Sequence, residues 1–455
     1  MIFIDRVNDV HLMVECEIHV ARELSTFFEF EVPGAKFMPA FRNRMWDGKI
    51  RLFSIKTNKI YAGLLSYLED FLKKNNLEYV LHEGVTENVK SINVEDVQGF
   101  ISSLNIPFET RDYQFNSICT AIENSKMMNK KILILVPTTS LVEQMSSDFV
   151  SYGWKEEHIH KIYSGHDKES DKPVTISTWQ SLYKLQKKYF SQYQCIFGDE
   201  AHTFKAKSLT SIMEKLEDCP YRFGFTGTLD GTQTHRLVLE GLFGEVEKVI
   251  TTKELIDKKT LAELTTNCVV LKHKEEECKQ IKDYTYAEEI SYLAGHIRRN
   301  NFITNLCKTL PGNTLCLFQL VEKHGNILYD MLKGDNTYYV YGGTSAEERE
   351  KIRENVNSSD NSIIVASYGT FSTGINIPNL NNIVFASPSK SRIRVLQSIG
   401  RGLRRNGTKN SVLIYDICDD LTYKSKKNFT LRHFEERINI YNEESFSYRI
   451  DEVKI

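Results

Sequence analysis

The stretch Cys195-Ile196-Phe197-Gly198-Asp199-Glu200-Ala201-His202 decides how this chain reads. Three apolar residues run into a glycine, and two adjacent carboxylates follow at once. In open parallel sheets, ligands bind just beyond the carboxyl ends of the strands. A carboxylate at that place can hold Mg²⁺ through water on the phosphates of a nucleotide, and a second one beside it can orient an attacking water. Asp199 is therefore the candidate metal contact and, with Glu200, a candidate catalytic residue.

The same texture repeats on both sides of this point. Short β-branched runs at Lys131 to Val136, Val174 to Ser177 and Phe223 to Phe225 alternate with helical stretches. A second series follows at Thr314 to Phe318, Tyr338 to Val340, Ser362 to Ala366, Asn382 to Ala386 and Val412 to Tyr415. Fully apolar strands separated by helices mark a parallel sheet covered on both faces. Two series predict two α/β lobes, joined near Thr251 to Asn267. The residues before about 95 read differently, as short alternating segments with a helix from Leu64 to Lys74. No short-period repeat or low-complexity tract is present.

With 455 residues the chain is too long for one hydrophobic core. A charged fraction of 26% and a net charge of -2 are those of an ordinary globular protein, so any nucleic-acid contact must use locally concentrated positive charge. Nine scattered cysteines without a Cys-x-x-Cys pair predict buried free thiols in a reducing compartment and no zinc site. Acid and base at Asp5 and Arg6 argue against a signal peptide, and no apolar run approaches the roughly 20 residues a bilayer span requires. The expected location is cytoplasmic.

Two segments concentrate the needed charge. Phe37-Met38-Pro39-Ala40-Phe41-Arg42-Asn43-Arg44-Met45-Trp46-Asp47-Gly48-Lys49-Ile50-Arg51 interleaves rings with cations. That combination suits stacking on bases beside phosphate contacts, with Arg42, Arg44, Trp46 and Lys49 the candidates, but it equally describes a packed aromatic hairpin with a solvated face. Between Phe385 and Ser411 lie Lys390, Arg392, Arg394, Arg401, Arg404, Arg405 and Lys409, with no acid among them. There Gln397, Arg401 and Arg404 are spaced to share one helical face. Guanidinium groups in such a row can bind phosphate and stabilise charge on a transferring phosphoryl group. Strand-end hydroxyls and amides at Pro137-Thr138-Thr139 and at Thr178, and a helix cap at Gly342-Gly343-Thr344-Ser345, add candidate phosphate contacts.

In their order along the chain these pieces resemble the motifs of superfamily-2 helicases. Asp199-Glu200-Ala201-His202 resembles motif II, and Val136 to Gln144 resembles motif Ia. Ser177 to Leu182, which includes Gln180, resembles motif Ib, and Gly224 to Leu229 resembles motif III. Ser367 to Asn376 resembles motif V and Gln397 to Arg405 resembles motif VI. Arg111-Asp112-Tyr113-Gln114 is similar to the element that contacts adenine. The resemblance implies an α/β fold of two RecA-like parallel-sheet lobes in tandem, 96–260 and 261–455, behind a small N-terminal α/β module, 1–95. It implies ATP and Mg²⁺ as nucleotide and metal, with hydrolysis between the lobes. Arg111, Gln114, Asp199 and Gly374 would bind nucleotide, and Gln397 would sense the γ-phosphate. Pro137, Thr138, Thr178, Gln180 and Thr373 would touch the nucleic acid. The Phe37 to Phe53 segment is similar to the N-terminal domain of bacteriophage recombination helicases. It implies branched or forked DNA as partner, phage recombination or replication proteins as possible associates, a monomer, and a bacterial host cytoplasm.

One motif is missing. A phosphate-binding loop needs Gly-x-x-x-x-Gly-Lys-[Ser/Thr] or a close variant, and the only Gly-Lys here is Gly48-Lys49, followed by Ile50. In the family this loop lies between the Tyr-Gln element and motif Ia. Here a helix expected over Tyr113 to Ser125 runs almost directly into Lys130, around Lys126-Met127-Met128. A strand, loop and helix need roughly 20 to 30 residues. Three explanations stand: the segment belongs to the protein and is missing from this sequence, the deletion is genuine and leaves a DNA-binding protein without ATP turnover, or another phosphate site substitutes. No residues suggest the last, and loss of a central strand would leave unpaired backbone and a void beside Asp199. A motor subunit of a restriction-type nuclease complex is a further reading, although no nuclease centre is visible.

Overall fold

The computed structural model describes residues 1–32, 34–85, 130–227, 233–374, 377, 379–387, 389, 391–403 and 411–455. Arg111, Gln114, the expected Tyr113–Ser125 helix, the Lys126–Met128 junction, Arg404, Arg405 and Lys409 lie outside the described residues. The chain divides into two units, Met1–Val249 and Ile250–Ile455.

The first unit holds two main sheets. Seven short strands come first: β1 (Ile2–Arg6), β2 (His11–Glu15), β3 (Glu29–Glu31), β4 (Lys49–Arg51), β5 (Phe53–Ser54), β6 (Lys59–Tyr61) and β7 (Tyr79–Leu81). Five of them form a sheet in the order β5-β6-β2-β1-β7, and β3 pairs with β4 alone. Alternate residues Ile2, Ile4, Leu12 and Val14 point into the core, where the helices Ile18–Phe27 and Leu65–Lys74 place Val20, Leu24, Leu68 and Leu72. The expected helix at Leu64 to Lys74 is present within one residue.

This module is bonded to the second sheet's helices. The Tyr61 hydroxyl donates to Glu214 at 2.7 Å and the Tyr67 hydroxyl to Glu240 at 2.6 Å. Gly63 sits so close to the Gln233–Phe243 helix that a Cβ there would lie 2.0 Å from the Glu240 carbonyl oxygen. One apolar core runs continuously from Ile2 to Leu242.

The second sheet contains β8 (Ile132–Val136), β9 (Ile159–Ile162), β10 (Val174–Thr178), β11 (Cys195–Gly198) and β12 (Tyr221–Gly224), all parallel, in the order β12-β11-β8-β10-β9. Its faces are filled by alternate residues of β8. Leu133 and Leu135 meet Ile196, Leu209 and Ile212, while Ile134 and Val136 meet Val142 and Ile176. The feared gap beside Asp199 is not there: β11 is bonded on one side to β8 and on the other to β12. The open position among the described residues is the outer edge of β12, whose residues are half-buried or exposed, with Phe225 beyond it 47% exposed.

The second unit is built on seven parallel strands: β13 (Glu263–Lys272), β14 (Thr314–Phe318), β15 (Thr337–Val340), β16 (Ile363–Ser367), β17 (Asn382–Phe385), β18 (Ser411–Asp420) and β19 (Tyr448–Lys454), in the order β15-β16-β14-β17-β18-β13-β19. The segment near Thr251 to Asn267, where the two lobes are expected to join, holds secondary structure. A helix Thr252–Asp257 starts at a capping box between Thr251 and Glu254, and β13 begins at Glu263. Ladder pairing with β18 along all of β13 holds its polar first half, Glu263 to Asn267, in the sheet.

Two charged pairs lie inside this unit. Arg437 donates from Nε and Nη2 to Asp416 at 2.8 Å, and the Tyr441 hydroxyl donates to the same carboxylate at 2.8 Å. Arg299 Nε donates to Asp419 at 2.8 Å and its Nη2 to the Ala386 carbonyl at 2.7 Å. Breaking such a pair strands a buried charge and costs about 3–5 kcal/mol. Asp416→Ala is expected to destabilise the second unit by that amount in urea unfolding, whereas the double change Asp416→Leu with Arg437→Met costs much less. Equal losses in both would show that the charge is not what matters there.

Candidate nucleotide and nucleic-acid site

Asp199 stands immediately past β11. Its amide donates to the Leu135 carbonyl at 2.9 Å, and the Phe225 amide donates to the Gly198 carbonyl at 2.8 Å, so β8 and the end of β12 hold it from both sides. Its Oδ1 accepts from the Glu200 amide at 2.9 Å. Burial raises the Asp199 carboxyl above its ordinary value, the amide bond opposes this, and the Glu200 charge adds to the rise. Glu200 has a φ of 50°, in the left-handed region. A non-glycine residue there stores on the order of 1 kcal/mol of strain, a pattern found where side-chain placement matters. The turn that follows, Ala201–Lys205, brings His202 Nδ1 to 3.1 Å from the Thr226 hydroxyl and 3.3 Å from Glu200 Oε2. A carboxylate, an imidazole and a hydroxyl thus connect the segment after β11 to the one after β12. Position alone does not reveal this link in the sequence; the only signal was the histidine following the acids.

The other strand ends open to the same edge, because the sheet is parallel. Thr138 follows β8 as the N-cap of the Thr139–Ser151 helix, its hydroxyl accepting from the Leu141 amide at 3.4 Å; beside it Pro137 is half-buried. The remaining first-turn amides of that helix are natural phosphate donors. Thr178 ends β10, is buried, and shares a 3.1 Å hydroxyl contact with Ser181, while Gln180 is exposed.

In the second unit, the Tyr368–Gly374 helix follows β16, and the Ser367 hydroxyl donates to Thr370 at 2.8 Å. Thr373 and Gly374 fall in its last turn, and their side-chain surroundings lie outside the described residues. Gln397 and Arg401 stand one turn apart on the Arg392–Gly402 helix, both half-buried, and the Arg401 guanidinium lies 5.6 Å from the Phe371 ring centre. The basic run is not uniformly available: Arg392 is ion-paired with Glu443 and Glu444, whereas Arg394 is exposed. Ser345 caps the Ala346–Ser358 helix through the Glu348 amide at 3.2 Å.

The aromatic-basic segment sorts into two groups. The Trp46 indole donates to the Lys49 carbonyl at 2.8 Å, and the Lys49 ammonium pairs with Glu29, so both secure the hairpin. Arg42 and Arg44 are exposed beside exposed Phe37, Phe41 and Met45. Gly48, with a φ of 81°, lets the hairpin close against Phe41 and Ala35.

As for the metal, one half-buried strand-end carboxylate suits Mg²⁺, which keeps several waters and takes further oxygens from phosphates. The donor set at Asp199 fits that demand. The phosphate cradle itself has no counterpart, since Gly48-Lys49 lies in β4 and its approach.

Comparison with known proteins agrees with this arrangement. Three family models match: the N-terminal domain of the DNA helicase UvsW over residues 4–82, the type III restriction enzyme res subunit over 116–231, and the helicase conserved C-terminal domain over 298–406. The ATP-dependent DNA helicase uvsW of Enterobacteria phage T4 is 32% identical across 98% of each chain. That alignment spans 495 positions against 455 residues here, so the relative carries dozens of residues without a counterpart. The transcript termination protein A18 of rabbit fibroma virus is 22% identical over 69% of this chain and 64% of its own. The crystal structure of T4 UvsW covers 100% of this chain and 99% of its own at 31% identity and a TM-score of 0.50. A type ISP restriction-modification enzyme, LlaBIII bound to DNA, covers 84% of this chain and 34% of its own at 14% identity and a TM-score of 0.50, which is a likeness of fold alone. No helix among the described residues is long and apolar enough to cross a membrane.

The raised Asp199 value has a sign that can be checked. Its ordinary value is 3.8, and the folded chain holds the proton to higher pH, so stability falls as pH climbs through the interval above 3.8. Asp199→Asn keeps an acceptor for the Glu200 amide and removes the desolvated charge. It is expected to raise the melting temperature at neutral pH by about 1–3 °C and to abolish any ATP turnover. A lower melting temperature would mean that the ionised carboxylate is structural.

Proposed function

Because this chain belongs to the family of ATP-dependent DNA helicases represented by UvsW, we propose that it remodels branched DNA, moving forks or junctions in recombination and repair. The observation that carries this reading is the Asp199–Glu200 pair at the carboxyl end of β11, joined through His202 to Thr226. Bound ATP with Mg²⁺ would supply the phosphoanhydride and the cation that offsets its charge. Asp199 would hold the hydrated ion, and Glu200 would orient the attacking water. Gln397 and Arg401, with Arg404 three residues on in the sequence, would present the donors suited to the γ-phosphate and to charge on the transferring group. Arg111 and Gln114 would hold the adenine, and Gly374 would lie against the nucleotide.

On the nucleic-acid side, Pro137, Thr138, Thr178, Gln180 and Thr373 would follow the backbone of one strand. Arg42 and Arg44 with Phe37 and Phe41 would meet the branch, where unpaired bases can stack and phosphates converge. Trp46 and Lys49 would shape that contact from behind.

A second reading is favoured by one observation, the lack of any Gly-x-x-x-x-Gly-Lys in the sequence. A chain without that cradle binds DNA and does not turn over ATP. Among the described residues the outer edge of β12 has no partner strand and Phe225 beyond it is exposed, as loss of a covering segment would leave them. DNA-stimulated ATP hydrolysis by purified protein separates the two readings, since forked-DNA binding without hydrolysis selects the second.

If turnover is found, Glu200→Gln is expected to lower it by about 100-fold or more while sparing DNA binding; undiminished hydrolysis would remove Glu200 from its role. Arg42→Ala with Arg44→Ala is expected to weaken forked-DNA binding and to reduce the salt slope of log K by about 1–2. An unchanged slope would assign the exposed arginines to solvent.

A further inference from the structure

Away from the nucleotide and DNA candidates, the second unit contains a cluster that neither uses. His273 follows β13, Glu277 stands in the first turn of the Glu275–Ile281 helix, and His296 caps the Ile297–Thr309 helix. One nitrogen or oxygen from each lies within 4.8 Å of the others. His296 Nε2 is 3.1 Å from Glu277 Oε1, and His273 Nδ1 is 3.8 Å from Glu277 Oε2. Tetrahedral zinc with bonds of about 2.0–2.2 Å sets its ligands about 3.3 Å apart, a value that the two separations to Glu277 bracket.

What marks the cluster as a site is His273. Its side chain is 0% exposed, and Nδ1 is buried with no hydrogen-bond partner. The 3.8 Å to Glu277 is too long to count as a bond. Its other nitrogen, Nε2, lies 3.0 Å from the Asp419 carboxylate, itself fully buried and bonded to Arg299. A carboxylate that takes the far N–H of an imidazole fixes the tautomer and aims the lone pair of the near nitrogen at the cluster. That is the usual support behind a metal-bound histidine. An orphaned buried acceptor in a folded protein calls for a partner, and here a carboxylate and a second imidazole lie beside it.

We propose that His273 Nδ1, Glu277 and His296 Nε2 form a binding site for a zinc-type divalent transition-metal ion, with water at the fourth position. Two imidazoles and one carboxylate favour such an ion over Mg²⁺ or Ca²⁺, which take oxygen donors. Metal entry has two local consequences. Arg298 Nη2, now 2.5 Å from Glu277 Oε1, yields its place to the ion. The ring proton of His296 moves to Nδ1, so the buried 3.2 Å bond from the Arg299 amide is given up in exchange for the bond to the ion. The bound ion would tie the end of β13 to both helix starts and, through Asp419, to β18. Cysteine spacing gave no sign of this site because none of its ligands is a thiol.

The test uses the full, tag-free chain stripped with chelator and kept free of nucleotide, so that it is independent of the ATPase reading. Dialysis against Zn²⁺ followed by elemental analysis is expected to leave one zinc per chain, with a higher melting temperature. Co²⁺ in its place is expected to show the visible absorption of a tetrahedral nitrogen-oxygen site. Glu277→Gln, which preserves shape and an acceptor for Arg298, is expected to weaken zinc at least about 10-fold and to remove the Co²⁺ spectrum with an unchanged circular dichroism spectrum. His273→Asn, checked in the same way, should do likewise. The proposal is overturned if the native chain retains no zinc, or if zinc persists undiminished in Glu277→Gln, as it would if held by thiols.

Discussion

Everything at the working edge of the first unit depends on β11 being bonded on both sides by parallel neighbours. Its register sets Gly198 between Leu135 of β8 and Gly224 of β12. Both glycines are required for space. A Cβ on Gly198 would lie 2.6 Å from Phe204, and one on Gly224 would lie 3.0 Å from Ala201 and 3.1 Å from Phe243. Because the backbone is bare there, the Ala201–Lys205 turn folds down over the sheet's end and Phe204 seals the core beneath it. Asp199 is thereby fixed at the boundary between apolar interior and solvent, partly desolvated and aimed outward. Its raised carboxyl value is a direct consequence of that position.

How much of this was legible follows from burial. Strands covered on both faces, such as Ile132–Val136, Cys195–Gly198 and Thr314–Phe318, announce themselves as unbroken apolar runs, and Asp199 and Glu200 stand out because they interrupt one. The strands that escaped reading are at edges or only half covered. Ile159–Ile162 reads Ile-His-Lys-Ile, and Tyr448–Lys454 alternates charge with apolar residues because one side of each faces no partner strand. Glu263 to Asn267 was hidden for another reason: tertiary pairing with β18 overrides its polar local sequence. The buried pairs Arg299–Asp419 and Arg437–Asp416 join residues far apart in sequence. The only clue was acid within the apolar run Ile414 to Cys418 and just after it.

Counting cations in the sequence overstated the positive charge available to a phosphate. Lys49 and Arg392 belong to motifs rich in base, yet each is matched by acids brought from elsewhere in the fold, Glu29 for the first, Glu443 and Glu444 for the second. Such pairs hold a hairpin or a helix in place at little net gain in stability, and they cancel local potential. Arg42, Arg44 and Arg394 remain exposed. With a net charge of -2 for the whole chain, attraction for a polyanion must come from such local positions and from the strand-end amides.

The N-terminal module gains its significance from where it is anchored. Tyr61 bonds Glu214 on the helix that follows the Asp199 turn, and Tyr67 bonds Glu240 on the helix that follows Thr226. Between them Gly63 and Gly241 allow backbone and ring to approach closely, so a side chain at either place would push the module away. The exposed arginines and rings at 37–45 therefore belong to the same compact unit as Asp199, and one continuous apolar core runs through that unit. A tethered accessory domain on a linker would lose any force applied to it in the linker's slack. Here Tyr61 and Tyr67 bond the module directly to the helices that flank the carboxylates.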